Sequence, residues 1–207
     1  MNSISLKETS YSILADIAKA IGHPHRLELL ELVAQGPKSV DTLAREARMS
    51  FANTSQHLQR LKQFKLVKTK RDFTTIYYTI ADDSIPMLIK YLHQTGFNLS
   101  QDFKHTLSSY RSNELIKTVS FEELESQEYI LLDVREETEF NFGHRQGALN
   151  IPHTKIKSSL TKLDKSKLIV AYCRGELCSY ADTVVQKLTD AGFNAVRLKD
   201  ILMTKSA

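Results

Sequence analysis

Tryptophan is missing from the 207 residues and cysteine occurs only twice. No apolar run approaches the roughly 18 residues that a membrane-spanning helix needs. Cys173 and Cys178 stand five positions apart, too few and too close for the disulfide framework of a secreted domain, so chemistry is the better use for them. The N-terminus lacks the charged-then-apolar pattern of a signal peptide, and a cytoplasmic location with no membrane partner is expected. Charge of one sign is also scarce: 28 Lys plus Arg against 24 Asp plus Glu leave a net of +4. All of that excess sits in the first half, where residues 1–98 carry 13 basic against 9 acidic side chains and residues 99–207 carry 15 against 15.

The length suits two domains of about 100 residues better than one. In the first half, Arg48, Arg60, Lys62, Lys65, Lys68, Lys70 and Arg71 fall in one stretch without an acid. Charge alone does not distinguish a phosphate-binding surface from a solvated helix face; the order of elements does. Ile13 to Ile21 reads as a short apolar-periodic helix. Pro24 opens a second, with Leu27, Leu30 and Val33 on one face, and Gly36-Pro37 stops it. Ser39 caps a third helix over Val40 to Ala47, and Ser50 caps a fourth. In that fourth helix Leu58 and Leu61 face inward while Asn53, Thr54, Ser55, Gln56, Gln59 and Arg60 point outward, side chains suited to base edges and phosphates. His57 serves either recognition or packing. A hairpin follows, Leu66 to Arg71 and Thr75 to Ile80 around Asp72-Phe73-Thr74, and then an apolar helix over Pro86 to Gln94 ended by Gly96. With the first helix, that last one offers an apolar dimer seam.

Residues 13 to 95 resemble the ArsR family of winged helix-turn-helix repressors. The resemblance is carried by Ala20-Ile21-Gly22-His23-Pro24-His25-Arg26-Leu27-Glu28-Leu29-Leu30, Ser39-Val40-Asp41-Thr42-Leu43-Ala44, Asn53 to Leu61, and Leu66-Val67 followed by Tyr77-Tyr78. It implies a homodimer reading a palindromic double-stranded DNA operator, with Asn53 to Arg60 in the major groove and Lys68, Lys70 and Arg71 along the minor-groove backbone. Lys65 stands where the family often has Gly after the recognition helix. Many members sense metals, but no metal site is expected here. Val40, Asp41 and Thr42 occupy the third-helix positions where some members carry thiolates, and the helix after the wing offers only His93. His23 and His25 read as ordinary helix-entry residues. No cofactor is implied.

Residues 97 to 115, with Ser100, Ser108, Ser109, Ser112 and Asn113, read as a linker, helical around Phe103 to Leu107. It separates a DNA-binding and dimerisation domain over 1–96 from a second domain over 116–207. There, Ser120-Phe121-Glu122-Glu123 is a capping box opening a short helix. Ile130 to Asp133 is a buried strand, Glu136 to Phe140 an acidic helix, and Gly143-His144 and Gly147 mark turns before Ala148 to Ile151. Leu168 to Tyr172 then delivers Cys173-Arg174-Gly175-Glu176-Leu177-Cys178 onto a helix that runs to Ala191, is stopped by Gly192, and precedes a strand over Ala195 to Leu198. Strands alternating with helices argue for an α/β parallel sheet with helices on both faces and reactive groups at the carboxyl ends of strands. Loop amides and a helix N-terminus converging on Cys173 stabilise negative charge there, making it the first catalytic candidate.

Residues Val119 to Leu198 resemble the rhodanese domain, on Leu132-Asp133-Val134-Arg135 with Glu139-Phe140, Gly143-His144, Gly147 to Pro152, and Tyr172-Cys173-Arg174-Gly175. The resemblance implies sulfur transfer through a persulfide on Cys173, taken from a small donor such as thiosulfate or polysulfide and cradled by loop N–H groups. Asp133, Arg135 and His144 are then an ion-paired frame beneath the loop. Cysteine phosphatases on a related architecture place an arginine at the sixth position after the cysteine; Ser179 stands there, which argues against phosphate monoester chemistry. Cys178 has two readings: it resolves a Cys173 persulfide as a disulfide or polysulfide bridge, or it is a small buried hydrophobe. The expected whole is a DNA-binding repressor whose rhodanese-like half senses sulfur. The alternative is an active sulfurtransferase that the DNA-binding half merely localises or dimerises.

Overall fold

Local capping and periodicity account for most of the helical half. The computed structural model describes residues 3–113, 116–124 and 128–199. Its first unit spans residues 1–89 and its second 90–207. Helix α1 covers Ser3–Ile21, ten residues more at its start than expected. Arg26 closes its C-terminus by donating to the carbonyl oxygens of Ala20 and Lys19. Pro24 begins α2, Pro24–Ala34, which buries Leu29, Leu30, Leu32 and Val33. That set differs from the expected stripe: Leu27 is only half-buried, while Leu29 and Leu32, outside that stripe, are buried. Lys38–Ser39 forms a short strand, β1, before α3, Val40–Glu46, and α4, Phe51–Gln63. Ser39 accepts a hydrogen bond from the Thr42 N–H and Ser50 from the Asn53 N–H, the two caps expected from sequence.

The hairpin pairs β2, Val67–Asp72, with β3, Thr75–Ile80, in antiparallel register from Val67 opposite Ile80 to Asp72 opposite Thr75. β1 adds to the other edge of β3. Two non-glycine residues take left-handed backbone here: Phe73 at the wing tip, at φ 51, and Lys65 between α4 and β2, at φ 56. Lys65 therefore adopts the conformation for which glycine is the natural choice. Helix α5 runs over Ser84–Leu99, straight through Gly96. The segment expected to act as a linker is itself helical as α6, Gln101–Asn113. A single glycine costs an otherwise apolar-periodic helix only about 1 kcal/mol, too little to end it. None of the described helices is long and apolar enough to cross a membrane.

In the second unit five parallel strands lie in the order β4-β8-β7-β5-β6. They are β4, Thr118–Val119; β5, Tyr129–Asp133; β6, Leu149–Asn150; β7, Leu168–Tyr172; and β8, Ala195–Leu198. Strand period two sends Leu132, Ile169, Ala171 and Ala195 to one face, where α8, Tyr180–Asp190, packs Ala181, Val184, Val185 and Leu188. Leu131, Val170, Tyr172 and Leu198 face the other way, against Leu124. That leucine ends a 3₁₀ turn over Glu122–Leu124, shorter than the α-helix expected after the Ser120 box. A true capping box opens α7, Glu137–Phe142, through Glu136 and Glu139. The expected parallel α/β architecture is thus the one observed.

Candidate functional site

Cys173 follows β7 directly, and the chain turns through Arg174 to Ser179 into the N-terminus of α8. Its side chain shares the α8 face of the sheet with Ala171, two residues earlier. The residue is 2% exposed. Its Sγ lies 3.2 Å from the carbonyl oxygen of Cys178 and 3.9 Å from that of Gly175. Burial alone pushes such a thiol up. The hydrogen bond from the Cys178 thiol, the positive charge of Arg197 and the N–H groups of Ala181 and Gly175 outweigh it and bring Cys173 down to about 6. Cys178 moves the opposite way. Its thiol is committed to Cys173 and half-enclosed, so its proton is held well above the ordinary thiol range.

Arg197 is the residue beside Cys173 that sequence reasoning missed. It sits on β8, 24 positions from Cys173, and is 1% exposed. Its Nη1 is 3.8 Å from Cys173 Sγ and donates to the Cys178 carbonyl at 2.9 Å and to Asp182 Oδ1 at 3.0 Å. Nη2 donates to the Gly175 carbonyl at 2.8 Å. The only available signal was periodicity: a cation at a strand position whose neighbours Ala195 and Leu198 are buried.

The other loop side chains are tied to neighbours. Arg174 turns away from the sulfur and forks onto Glu139, Nε to Oε1 at 2.9 Å and Nη2 to Oε2 at 3.2 Å. Its guanidinium also lies 5.0 Å from the Tyr180 ring centre, and Tyr180 stacks on His153 at 3.7 Å. Glu176 receives Arg111 of α6, Nη1 to Oε2 at 2.6 Å and Nη2 to the Glu176 carbonyl at 2.8 Å. Leu177 is exposed. Beneath the loop, Arg135 pairs with Asp133 at 2.6 Å and donates to the Gly143 carbonyl at 2.8 Å. His144 stacks on Phe140 and bonds its carbonyl at 2.9 Å.

In the first unit the recognition-helix candidates divide. Gln56, Gln59, Arg60, Lys68, Lys70 and Arg71 are exposed, and Asn53, Ser55 and His57 half-exposed. Thr54 is a correction: it is fully buried, its hydroxyl donating to the Ser50 carbonyl at 2.9 Å. It stands four and seven residues before Leu58 and Leu61 and so belongs to the buried stripe. His57 packs 4.5 Å from His23 and 5.5 Å from His25, ring centre to centre. Burial, then His23, His25 and Arg26, hold its proton affinity below the usual histidine value. Among the described residues no group of three or more His, Cys, Asp and Glu side chains is arranged to hold a metal ion. Gln59 donates to the Tyr78 hydroxyl at 3.2 Å, and Arg71 to the Phe73 carbonyl at 2.9 Å, which braces the wing turn.

A capped helix pair with a basic hairpin, ahead of a parallel sheet that carries a cysteine loop, defines a winged helix-turn-helix protein with a rhodanese-like domain. The profile of bacterial regulatory proteins of the arsR family matches residues 23–69, and that of the rhodanese-like domain residues 121–200. The HTH-type transcriptional regulator Rv0324 of Mycobacterium tuberculosis is 32% identical over 190 residues, 90% of this chain and 84% of that protein. Nodulation protein NolR of Rhizobium meliloti is 34% identical over 79 residues, 38% of this chain and 65% of its own length. A solved winged helix-turn-helix domain of Mb0332 from Mycobacterium bovis aligns at 30% identity with a TM-score of 0.43, over 45% of this chain and 88% of that one. The chain belongs to the ArsR family of HTH-type transcriptional regulators and carries a rhodanese-like domain at its C-terminal end.

Proposed function

We propose that this regulator is a homodimeric repressor that releases or retains its operator according to sulfane sulfur captured at Cys173. The observation that carries the reading is the unequal cysteine pair, one sulfur activated as a thiolate and the other kept as a thiol, in a loop that α6 grips through Arg111 and Glu176. The Cys173 thiolate takes the terminal sulfane sulfur of a polysulfide, forming a persulfide and leaving the donor one sulfur shorter. Cys178 then attacks the Cys173 Sγ: a Cys173–Cys178 disulfide forms, the S–S bond of the persulfide breaks, and the outer sulfur leaves as hydrosulfide with the Cys178 proton. Two thiols are oxidised and one sulfane sulfur is reduced. The burial of Cys173 favours small linear donors such as polysulfide or thiosulfate over bulky ones.

Exposed Gln56, Arg60, Lys68, Lys70 and Arg71, with Asn53 and Ser55, form the operator surface, base edges to α4 and phosphates to the wing. Leu6, Tyr11, Ile13 and Leu14 on α1, and Leu88, Tyr91 and Leu92 on α5, leave more apolar side chain exposed than a monomer ordinarily does. They support the homodimer. The test is operator binding by gel shift on the chain's own upstream DNA, before and after a polysulfide donor, with mass spectrometry of the Cys173–Cys178 peptide. A tenfold change in affinity, about 1.4 kcal/mol, with added sulfur or a disulfide on the peptide is expected. A Cys173→Ser variant that responds as the parent does overturns the reading. Brisk sulfur turnover with unaltered DNA binding indicates a sulfurtransferase that the DNA-binding half only localises.

A further inference from the structure

β8 pairs with β7 so that Arg197 stands opposite Ala171. Ala171 and Cys173 point to the same face, as do Ala195 and Arg197, so the register carries the guanidinium to the mouth of β7, where the sulfur sits. Its Nε makes no hydrogen bond among the described residues, and both Nη groups face the loop and Asp182. The loop's own arginine, Arg174, is turned onto Glu139, and Arg111 onto Glu176. Two carbonyl oxygens stand near Cys173 Sγ, those of Cys178 and Gly175, and would repel a thiolate. Both are hydrogen-bonded by Arg197, which draws their lone pairs off the sulfur.

We infer that Arg197, reaching in from the last strand and not from the loop, is the positioning cation that holds Cys173 as a thiolate, with Asp182 setting how much of its charge reaches the sulfur. The inference rests on Cys173 being the sulfur acceptor. In the ionisation, Cys173 gives its proton to water while Arg197 stays protonated throughout. Asp182, 3.0 Å from Nη1 and 4% exposed, competes with the thiolate for the same guanidinium. Two substitutions should therefore act with opposite signs, whereas a role confined to tacking the loop in place would make both act alike.

The experiment titrates the thiolate ultraviolet absorbance of the full-length protein in a Cys178→Ser background, so that one thiol is read. Arg197→Gln is expected to raise the Cys173 midpoint by about 1–3 units, the usual effect of an opposite charge at this range. Asp182→Asn, which keeps an acceptor for Nη1, lowers it. Arg197→Lys, keeping charge without the fork, falls between parent and Arg197→Gln. The midpoint is the proper readout, because reaction rate at neutral pH barely moves: a higher thiol pKa lowers the thiolate fraction but raises its nucleophilicity. If Arg197→Gln alone does not fold, with Asp182 left buried without its counter-ion, the Arg197→Gln/Asp182→Asn double variant is compared with Asp182→Asn, above which its midpoint should still rise. A midpoint unchanged in folded Arg197→Gln, or raised alike by both single substitutions, overturns the inference. A parent midpoint at the ordinary thiol value of about 8.5 overturns the proposed function with it.

Discussion

A thiolate held in the folded state but not in the unfolded one ties stability to pH, and Cys173→Ser isolates that tie. The thiol is held down to about 6 in the fold, against about 8.5 for the free group. An acid with a depressed folded pKa contributes stability in full above its unfolded value and loses it as pH falls through the folded one. Between those values the contribution changes by about 1.4 kcal/mol per pH unit, so that it is on the order of 2 kcal/mol near pH 7.5 and close to nil near pH 5.5. Cys178 is protonated in both states below about pH 8, so it leaves this window flat. Other titrating groups, His153 among them, act in parent and variant alike and cancel in the difference. The assay is urea unfolding followed by far-ultraviolet circular dichroism, since a chain without tryptophan lacks the usual fluorescence probe. The stability of the parent minus that of Cys173→Ser should grow, by on the order of 2 kcal/mol, from about pH 5.5 to about 7.5. A difference constant across that range refutes the thiolate cradle, however reactive the cysteine proves.

Two further predictions concern the supports of the loop. Asp133→Asn takes from the Arg135 guanidinium, 1% exposed, the carboxylate that pairs with it at 2.6 Å, and should destabilise the rhodanese-like domain by about 3–5 kcal/mol in urea unfolding. The Asp133→Asn/Arg135→Met double variant should recover part of that loss, and a single-variant cost below about 1 kcal/mol would remove the pair from the frame. Arg111→Gln breaks the bridge between α6 and the loop, a pair whose side chains are 14% and 20% exposed. Gel shifts should show operator affinity of the untreated protein unchanged and the sulfur-induced ratio reduced at least about threefold. An undiminished ratio would exclude this contact as the coupling route.

The particulars of the chain separate what is local from what is not. Ser39 and Ser50 act on N–H groups three residues away, so their caps could be read directly, as could the Val67–Ile80 hairpin and the apolar β7. Helix ends were harder: α1 and α5 extend past their apolar-periodic segments because exposed turns continue at little cost where nothing stops them. Thr54 was misplaced since its hydroxyl reads as polar, yet it satisfies itself on the Ser50 carbonyl and fills the buried stripe. Cys173 was legible as the end of a strand followed by a turn and a helix start.

By itself, then, the order of residues determined the two folds, the family and the cysteine loop, since these rest on periodicity, caps and motifs within a few residues of one another. Tertiary structure alone decided which charges surround the sulfur. Arg197 meets Cys173 through the pairing of β8 with β7, Arg174 is drawn off by Glu139, and Glu176 is taken by Arg111, 65 positions before it. Sheet register and the partners of buried charges depend on which distant segments come together, and electrostatics acts through space, with no regard for separation along the chain.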